Sequence, residues 1–443
     1  MKSSKHLIAN IFIIISITFL SAMVLIYGGR FIYYYKNSHV QEKVGHTLLV
    51  DVINSLSYNG SMIKEGDNLY YSGNILNNYL YYSNRYYRII GVEDGNIVLV
   101  DDSITTMLPY DQEFETSEIN KWLNKGGEHA GIYYNSLVEP EKHLTTTKTC
   151  LDNYDNENIT CEKYVTSDIG MISLNQYLRA NVNGNYLNQS KYYWFSNKDS
   201  EEHNWYIDYK NEVTITNTNP IYGVRPVITL KADTIYYGGT GTLYQPYLIT
   251  LEDAENFDEV NIGNIGIGSY ITYSDNIWQV IDEGDDYYKL VSTESIGDRV
   301  FSYKSTKLNL EDNTSLIYYL NNDYYETLDK TLLKKGKINT ESYNESYTDK
   351  YSSDESVYVS LLEVGDLFMG NADNSYTITN SVIKTANYKV SSGRLYADLY
   401  SSENAVYPVI FIDKTAKAKS GIGTIDTPYS FTEQEEVGEE WKK

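Results

Sequence analysis

Apolar residues recur along this chain with three different spacings, and each predicts a different kind of element. From Leu7 to Tyr27 the chain reads L-I-A-N-I-F-I-I-I-S-I-T-F-L-S-A-M-V-L-I-Y, with no charge in the run. As a helix rising about 1.5 Å per residue it spans roughly 30 Å, the thickness of a bilayer core. Residues 1–30 are therefore expected to form a short cytoplasmic head and a retained transmembrane anchor, too long for the core of a cleaved signal. Residues 31–35 (F-I-Y-Y-Y) supply an aromatic collar at the interface. Val40, Val44, Leu48, Val52 and Leu56 then recur at every fourth position, with Leu49 and Ile53 beside them. That period predicts a stalk helix within 31–63, its apolar face resting on the first domain or on a partner chain.

Beyond the stalk the period changes to that of strands. Residues 82–101 (Y-S-N-R-Y-Y-R-I-I-G-V-E-D-G-N-I-V-L-V-D) read as strand, E-D-G-N turn and strand. Residues 273–292 (Y-S-D-N-I-W-Q-V-I-D-E-G-D-D-Y-Y-K-L-V-S) repeat the pattern without a gap. A short helix follows each hairpin. In the first, residues 117–124 start behind Thr116 and Ser117 as caps and stop at Gly126-Gly127; in the second, residues 315–321 hold the place. Trp122 and Leu123 read as core anchors. A strand-like K-Y-Y-W-F-S-N at 191–197 precedes the closing block.

That closing block occurs twice. Residues 224–247 (V-R-P-V-I-T-L-K-A-D-T-I-Y-Y-G-G-T-G-T-L-Y-Q-P-Y) run in step with 406–429 (V-Y-P-V-I-F-I-D-K-T-A-K-A-K-S-G-I-G-T-I-D-T-P-Y), Pro226 meeting Pro408 and Pro246 meeting Pro428. A buried-looking strand fills 224–230, and Pro226 within it argues for an edge or bulge position. A repeat this long predicts two tandem copies of one domain, 64–251 and a degenerate 256–431, followed by an acidic disordered tail at 432–443. The middles of the copies diverge, as loops that carry specificity do. The expected fold class is β-rich α+β.

Composition sharpens this picture only in places. A chain of 443 residues, 42% hydrophobic and 22% charged, suits two packed domains of roughly 180 residues each. Its formal net charge of −24 repels phosphate backbones, which excludes nucleic acid as a partner. Tyrosine is abundant, 47 against 10 Phe and 5 Trp. Such residues supply amphipathic contact area to binding surfaces, although an AT-rich genome gives the same bias.

Cys150 and Cys161, the only cysteines, enclose L-D-N-Y-D-N-E-N-I-T and read as a disulfide stapling an extracellular loop. The disulfide and the short head place the bulk of the chain outside the cell, since the basic residues flanking the anchor are nearly balanced. Asp152, Asp155 and Glu157 lack the spacing of a calcium loop, and His129, His143 and His203 fall in no zinc motif. No nucleophile elbow, phosphate loop or dinucleotide fingerprint is present, and no metal or cofactor is expected. Tyr193, Trp194, Trp205 and Arg225, gathered around the closing block, are the residues expected to meet a ligand.

The residues 87–90 (Y-R-I-I), 118–124 (E-I-N-K-W-L-N), 193–197 (Y-W-F-S-N) and 223–228 (G-V-R-P-V-I) resemble an uncharacterised family of bacterial extracytoplasmic domains of unknown function. Its copies show a W-R-V-L-like hairpin, an I-x-x-W-L-N helix and a terminal G-V-R-P-A/V block. More distantly, the terminal pattern is similar to the C-type-lectin-like fold of the formylglycine-generating group. The resemblance covers most of the first copy and the second only degenerately, where Tyr407 replaces Arg225 and Trp278 replaces Tyr87. It implies a mixed α+β fold with a variable loop face and supplies no activity. The expected function is a membrane-anchored extracellular binding or adhesion protein, non-enzymatic, for a surface glycan or protein. Two alternatives stand beside it: an enzyme using Glu201, Glu202, His203 or Asp208 near Trp194, and a self-associating envelope component.

Overall fold

The computed structural model describes residues 47–431 except 57–61, 111–112, 126–130, 153–160, 182–183, 200–202, 219, 257–264, 305–309, 339–355, 368–375, 381–385, 422, 424 and 426–427. The expected anchor, the collar, much of the stalk, the acidic tail and the divergent middle of the second half lie outside the described residues. Among the described residues no helix is long and apolar enough to cross a membrane. Strands far outnumber helical residues, so the molecule is α+β and β-rich.

The end of the stalk is helix α1 (Leu49–Ser55), and it rests on the first half. Leu49 and Ile53 are fully buried, while Val52 and Leu56 are only partly covered. Its start is tied to the closing block: Leu49 N donates to Thr234 O at 2.9 Å and Tyr236 N to Thr47 O at 2.8 Å.

The first half contains β1 (Tyr79–Tyr82), β2 (Arg85–Glu93), β3 (Asn96–Asp101), β4 (Thr106–Pro109), α2 (Glu118–Leu123), α3 (Leu174–Ala180), β5 (Tyr193–Lys198), β6 (Asn204–Ile207), β7 (Val213–Thr216), β8 (Ile221–Val224), β9 (Pro226–Leu230) and β10 (Tyr247–Leu248). The second half contains β11 (Tyr270–Tyr273), β12 (Asn276–Glu283), β13 (Tyr287–Ser292), β14 (Asp298–Val300), α4 (Leu316–Tyr319), β15 (Tyr376–Asn380), β16 (Ala386–Ser391), β17 (Arg394–Leu399), β18 (Glu403–Ala405), β19 (Val409–Asp413) and β20 (Tyr429–Ser430).

Strand order and register recur between the halves. Within the nine-stranded sheet of the first half β9-β3-β2-β1-β10 are successive neighbours, and within the six-stranded sheet of the second β19-β13-β12-β11-β20 are, each run ending in a parallel pair; the first sheet also carries the hairpin Met62–Glu65 and Asn68–Tyr71 on β2. Arg88 faces Val100 and Gln279 faces Val291; Val227 faces Val100 and Val409 faces Val291. Both long hairpins carry a register shift at the same place, between Ile89 and Gly91 and between Val280 and Asp282. Even the loop bond closing each sheet recurs, Tyr79 N to Gly241 O and Tyr270 N to Gly423 O, both 2.7 Å. Glycine is required beside that bond. Gly239 and Gly421 have φ of 91° and 87°, and a Cβ there would strike the carbonyl of Pro246 or Pro428.

Two sequence expectations are corrected here. The strand expected from Tyr82 instead turns back at Ser83-Asn84 (φ 54° and 58°), as the second half does at Ser274-Asp275 (50° and 60°). Positive φ at both central residues is the hairpin geometry that matches strand twist. The strand expected across 224–230 is two strands in two sheets: β8 ends at Val224, and β9 starts at Pro226. Pro226 is thus neither at an edge nor in a bulge. It opens a central strand opposite Met171, a first position where proline is tolerated.

The second sheet layer joins the halves. Its order is β7-β6-β5-β8-β17-β16-β15, with β4 also on β8, and the seam pairs Ile221 with Leu395 and Tyr222 with Arg394. A buried bond reinforces the joint: Trp122 Nε1 of α2 donates to Gly365 O at 2.8 Å. Ser117 caps α2 by accepting from Asn120 N, and Ser315 caps α4 by accepting from Tyr318 N.

Candidate binding cleft

Arg88 sits in a stretch of β2 where each residue from Tyr87 to Val92 is buried. A guanidinium in such a place needs internal partners. Its Nε donates to Asn78 Oδ1 at 2.7 Å and its Nη2 to Ile75 O at 2.6 Å. The group also lies over the Tyr79 ring, 3.9 Å from the centroid, and 5.0 Å from that of Tyr186. Nη1 is left over: it makes no hydrogen bond among the described residues, and Asp102 Oδ1 stands 3.8 Å away. That is ion-pair range but too long for a hydrogen bond.

Asp102 follows β3, and its backbone is fixed. Its N donates to Tyr86 O at 3.0 Å, and its O accepts from Gln189 Nε2. The carboxylate, 29% exposed, accepts no hydrogen bond among the described residues. Burial pushes its pKa up, against the pull of Arg225 and Arg88. Burial also lowers the pKa of Arg88, with Asp102 opposing. The two groups face a cleft of about 320 Å³ whose walls include Tyr79, Tyr186, Ile104 and Lys191.

The four expected ligand residues are placed differently from one another. Tyr193, Trp194 and Arg225 are fully buried, and Trp205 is partly buried. Tyr193 and Arg225 come together, with the guanidinium 5.1 Å from the ring centroid. Arg225 sits where the chain passes from β8 to β9. Its Nε and Nη2 donate to Asp101 O (3.2 and 3.1 Å) and its Nη1 to Leu187 O (2.8 Å). It therefore positions the loop that carries Tyr186 and Gln189 into the cleft. Trp194 belongs to the other face of β5, against Tyr110, Tyr206 and Tyr222, and its Nε1 donates to Leu108 O. Trp205 is next to Tyr206 on β6 and so points to the opposite side from it.

Arg88, Asp102, Tyr79, Tyr186 and Lys191 escaped the sequence reading. The available signal was Arg88 itself, a charge inside an otherwise apolar strand, since such a charge needs a buried partner or a ligand. Asp102 and Tyr186 had no signal, because loop geometry alone brings them to Arg88.

Of the residues of the enzymatic alternative, the described ones, His203 and Asp208, do not converge. His203 Nδ1 pairs with Asp199 Oδ2 at 2.9 Å at one end of β6. Asp208 lies past its other end, where Oδ1 accepts from Lys210 N and Glu212 N in a turn. Glu201 and Glu202 lie outside the described residues.

Cys150 and Cys161 are joined by a disulfide. With Asp152 they form the one grouping of metal-ligand types close enough to hold an ion among the described residues. Sulfurs bonded to each other are not thiolate ligands, and Asp152 already accepts from the backbone N of Glu162 and Lys163. A second cleft of about 240 Å³ opens beside the disulfide. Its charges answer one another: Arg179 pairs with Glu65 at 3.1 Å and covers the Tyr70 ring at 4.1 Å. Burial, helped by Glu93, pushes the Tyr70 hydroxyl up to about 12.

The second half lacks the first cleft's chemistry. By strand register, Gln279 stands at the place of Arg88 and Thr293 at that of Asp102; Tyr407 replaces Arg225. It buries a different charge instead. Lys289 Nζ lies 2.8 Å from Asp366 Oδ1 and 3.4 Å from Glu363 Oε2. Burial opposes the ammonium, yet Asp366 and Glu363 outweigh it and hold its pKa above the usual lysine value. No protein-family model, no curated protein and no solved structure matches the chain.

Proposed function

We propose that this is a membrane-anchored extracellular binding protein whose ligand site is the Arg88–Asp102 cleft of the first half. In this reading an N-terminal transmembrane helix tethers two tandem copies of one domain, distantly similar in fold to the C-type-lectin-like formylglycine-generating group. The first copy binds, and the second serves as scaffold. One observation carries it: a mostly buried Arg88 and Asp102 face a cleft with hydrogen-bonding capacity left over, and the second half replaces both with neutral side chains. Binding without turnover fits the scatter of His203 and Asp208.

The test uses the purified full chain in detergent micelles, mixed with isolated bacterial cell-envelope fragments and sedimented. Saturable co-sedimentation that is lost in R88Q supports the proposal. Sedimentation that is absent, or unchanged by R88Q, contradicts it.

A self-associating envelope component is favoured by one feature of its own. Strand β7 ends the shared sheet, no strand pairs its outer edge among the described residues, and Ile215 on it is 39% exposed. Such an edge is a template for another chain. The mass of the micelle-bound protein separates the readings, since one chain per micelle speaks against self-association.

A further inference from the structure

We infer that the cleft takes a neutral saccharide, with one sugar hydroxyl bridging Arg88 Nη1 and Asp102 Oδ1. This rests on the reading of the cleft as a binding site and specifies its ligand class. The bridge follows from donor and acceptor inventory. Nη1 has N–H donors and no acceptor among the described residues; Asp102 has lone pairs and no donor; the atoms are 3.8 Å apart. A group placed off their axis at about 2.8 Å from each must accept from one and donate to the other. A hydroxyl does both. A carboxylate or phosphate would accept from Arg88 but meet the charge of Asp102, and an ammonium would meet Arg88, Lys191 on the wall and the nearby Arg225. A neutral polyol is the class that offends neither.

The walls agree. Tyr79, Tyr186 and Ile104 line the cleft and supply aromatic and apolar wall against which the C–H groups of a pyranose can rest. Arg88 is held from three sides by Asn78, Ile75 and the two rings, so its fourth direction is set before a ligand arrives. That rigidity lowers the ordering cost of binding. A volume of about 320 Å³ suits one or two sugar units rather than a long chain segment.

The experiment titrates the full chain in detergent micelles by calorimetry with maltotetraose, cellotetraose, mannotetraose and chitotetraose. Oligogalacturonate serves as the anionic probe. R88Q and D102T introduce residues that the second half already carries at these positions, and R179Q alters the other cleft. At least one neutral tetrasaccharide is expected to bind, at least tenfold more weakly to R88Q and to D102T, and unchanged to R179Q. Binding of oligogalacturonate alone overturns the inference, as does neutral-sugar binding that R88Q and D102T leave intact. If no saccharide binds while envelope fragments still sediment the wild type but not R88Q, this inference falls and the binding-protein reading stands. If neither occurs, both fall.

Discussion

Asp101 shows what a buried charge does to this protein residue by residue. It is 1% exposed at the end of β3, and Tyr133 donates to its Oδ2 at 2.9 Å while Arg85 lies over the Tyr133 ring. Burial pushes its carboxyl up to about 6, although Arg85 and hydrogen bonds from Ser103 N and Tyr133 oppose the shift. An unfolded aspartate titrates near 3.9. Between about pH 4 and 6 the folded chain therefore holds more protons than the unfolded one, so this residue's contribution to stability falls as pH rises across that window. Two units correspond to about 3 kcal/mol. D101N removes the titration. Denaturant midpoints at pH 4 and pH 7 should shift relative to wild type in favour of D101N on going to pH 7, by up to about 3 kcal/mol. Parallel pH profiles of the two proteins would remove Asp101 as the cause.

Among elements, the disulfide loop makes the sharpest contrast between the halves. In the first, strands Thr147–Cys150 and Tyr164–Ser167 pair and the Cys150–Cys161 bond closes their connection. In the second, Gly336–Lys337 and Ser356–Val357 pair without cysteine. On the loop-entropy model, C150S/C161S should cost up to about 3 kcal/mol. Thermal unfolding should show the loss, and reductant should lower wild type but leave the double variant unmoved. A reductant effect on the variant would count against this assignment. Elements of this kind also show how far the sequence could be read. The long hairpins, the Ser117 cap and the paired closing blocks were legible because period, cap and turn residues are local signals. The turn at Ser83-Asn84 was not, although serine and asparagine favour turns, because no glycine marks it and apolar and aromatic residues continue on both sides. The break at Arg225 was not either, because both strands around it are apolar and only sheet assignment separates them. The cleft was hidden for a further reason: Arg88, Asp102 and Tyr186 meet only through long-range folding.

Over the whole molecule, the same strand order and register occur in both halves with the buried charges relocated. Arg85, Arg88 and Asp101 of the first half correspond by register to Asn276, Gln279 and Ser292 of the second. The Lys289–Glu363–Asp366 cluster corresponds to Val98, Ser173 and Gln176. The backbone bond from Ser173 N to Gln176 Oε1 recurs as Glu363 N to Asp366 Oδ2, at 3.0 and 2.7 Å. The most direct measurement replaces the second cluster with its first-half counterparts in the full chain and follows the denaturant midpoint. K289V alone strands two buried carboxylates and should cost about 3–5 kcal/mol, whereas K289V/E363S/D366Q should return to within about 1 kcal/mol of wild type. A triple variant as unstable as K289V would contradict the equivalence of the two halves.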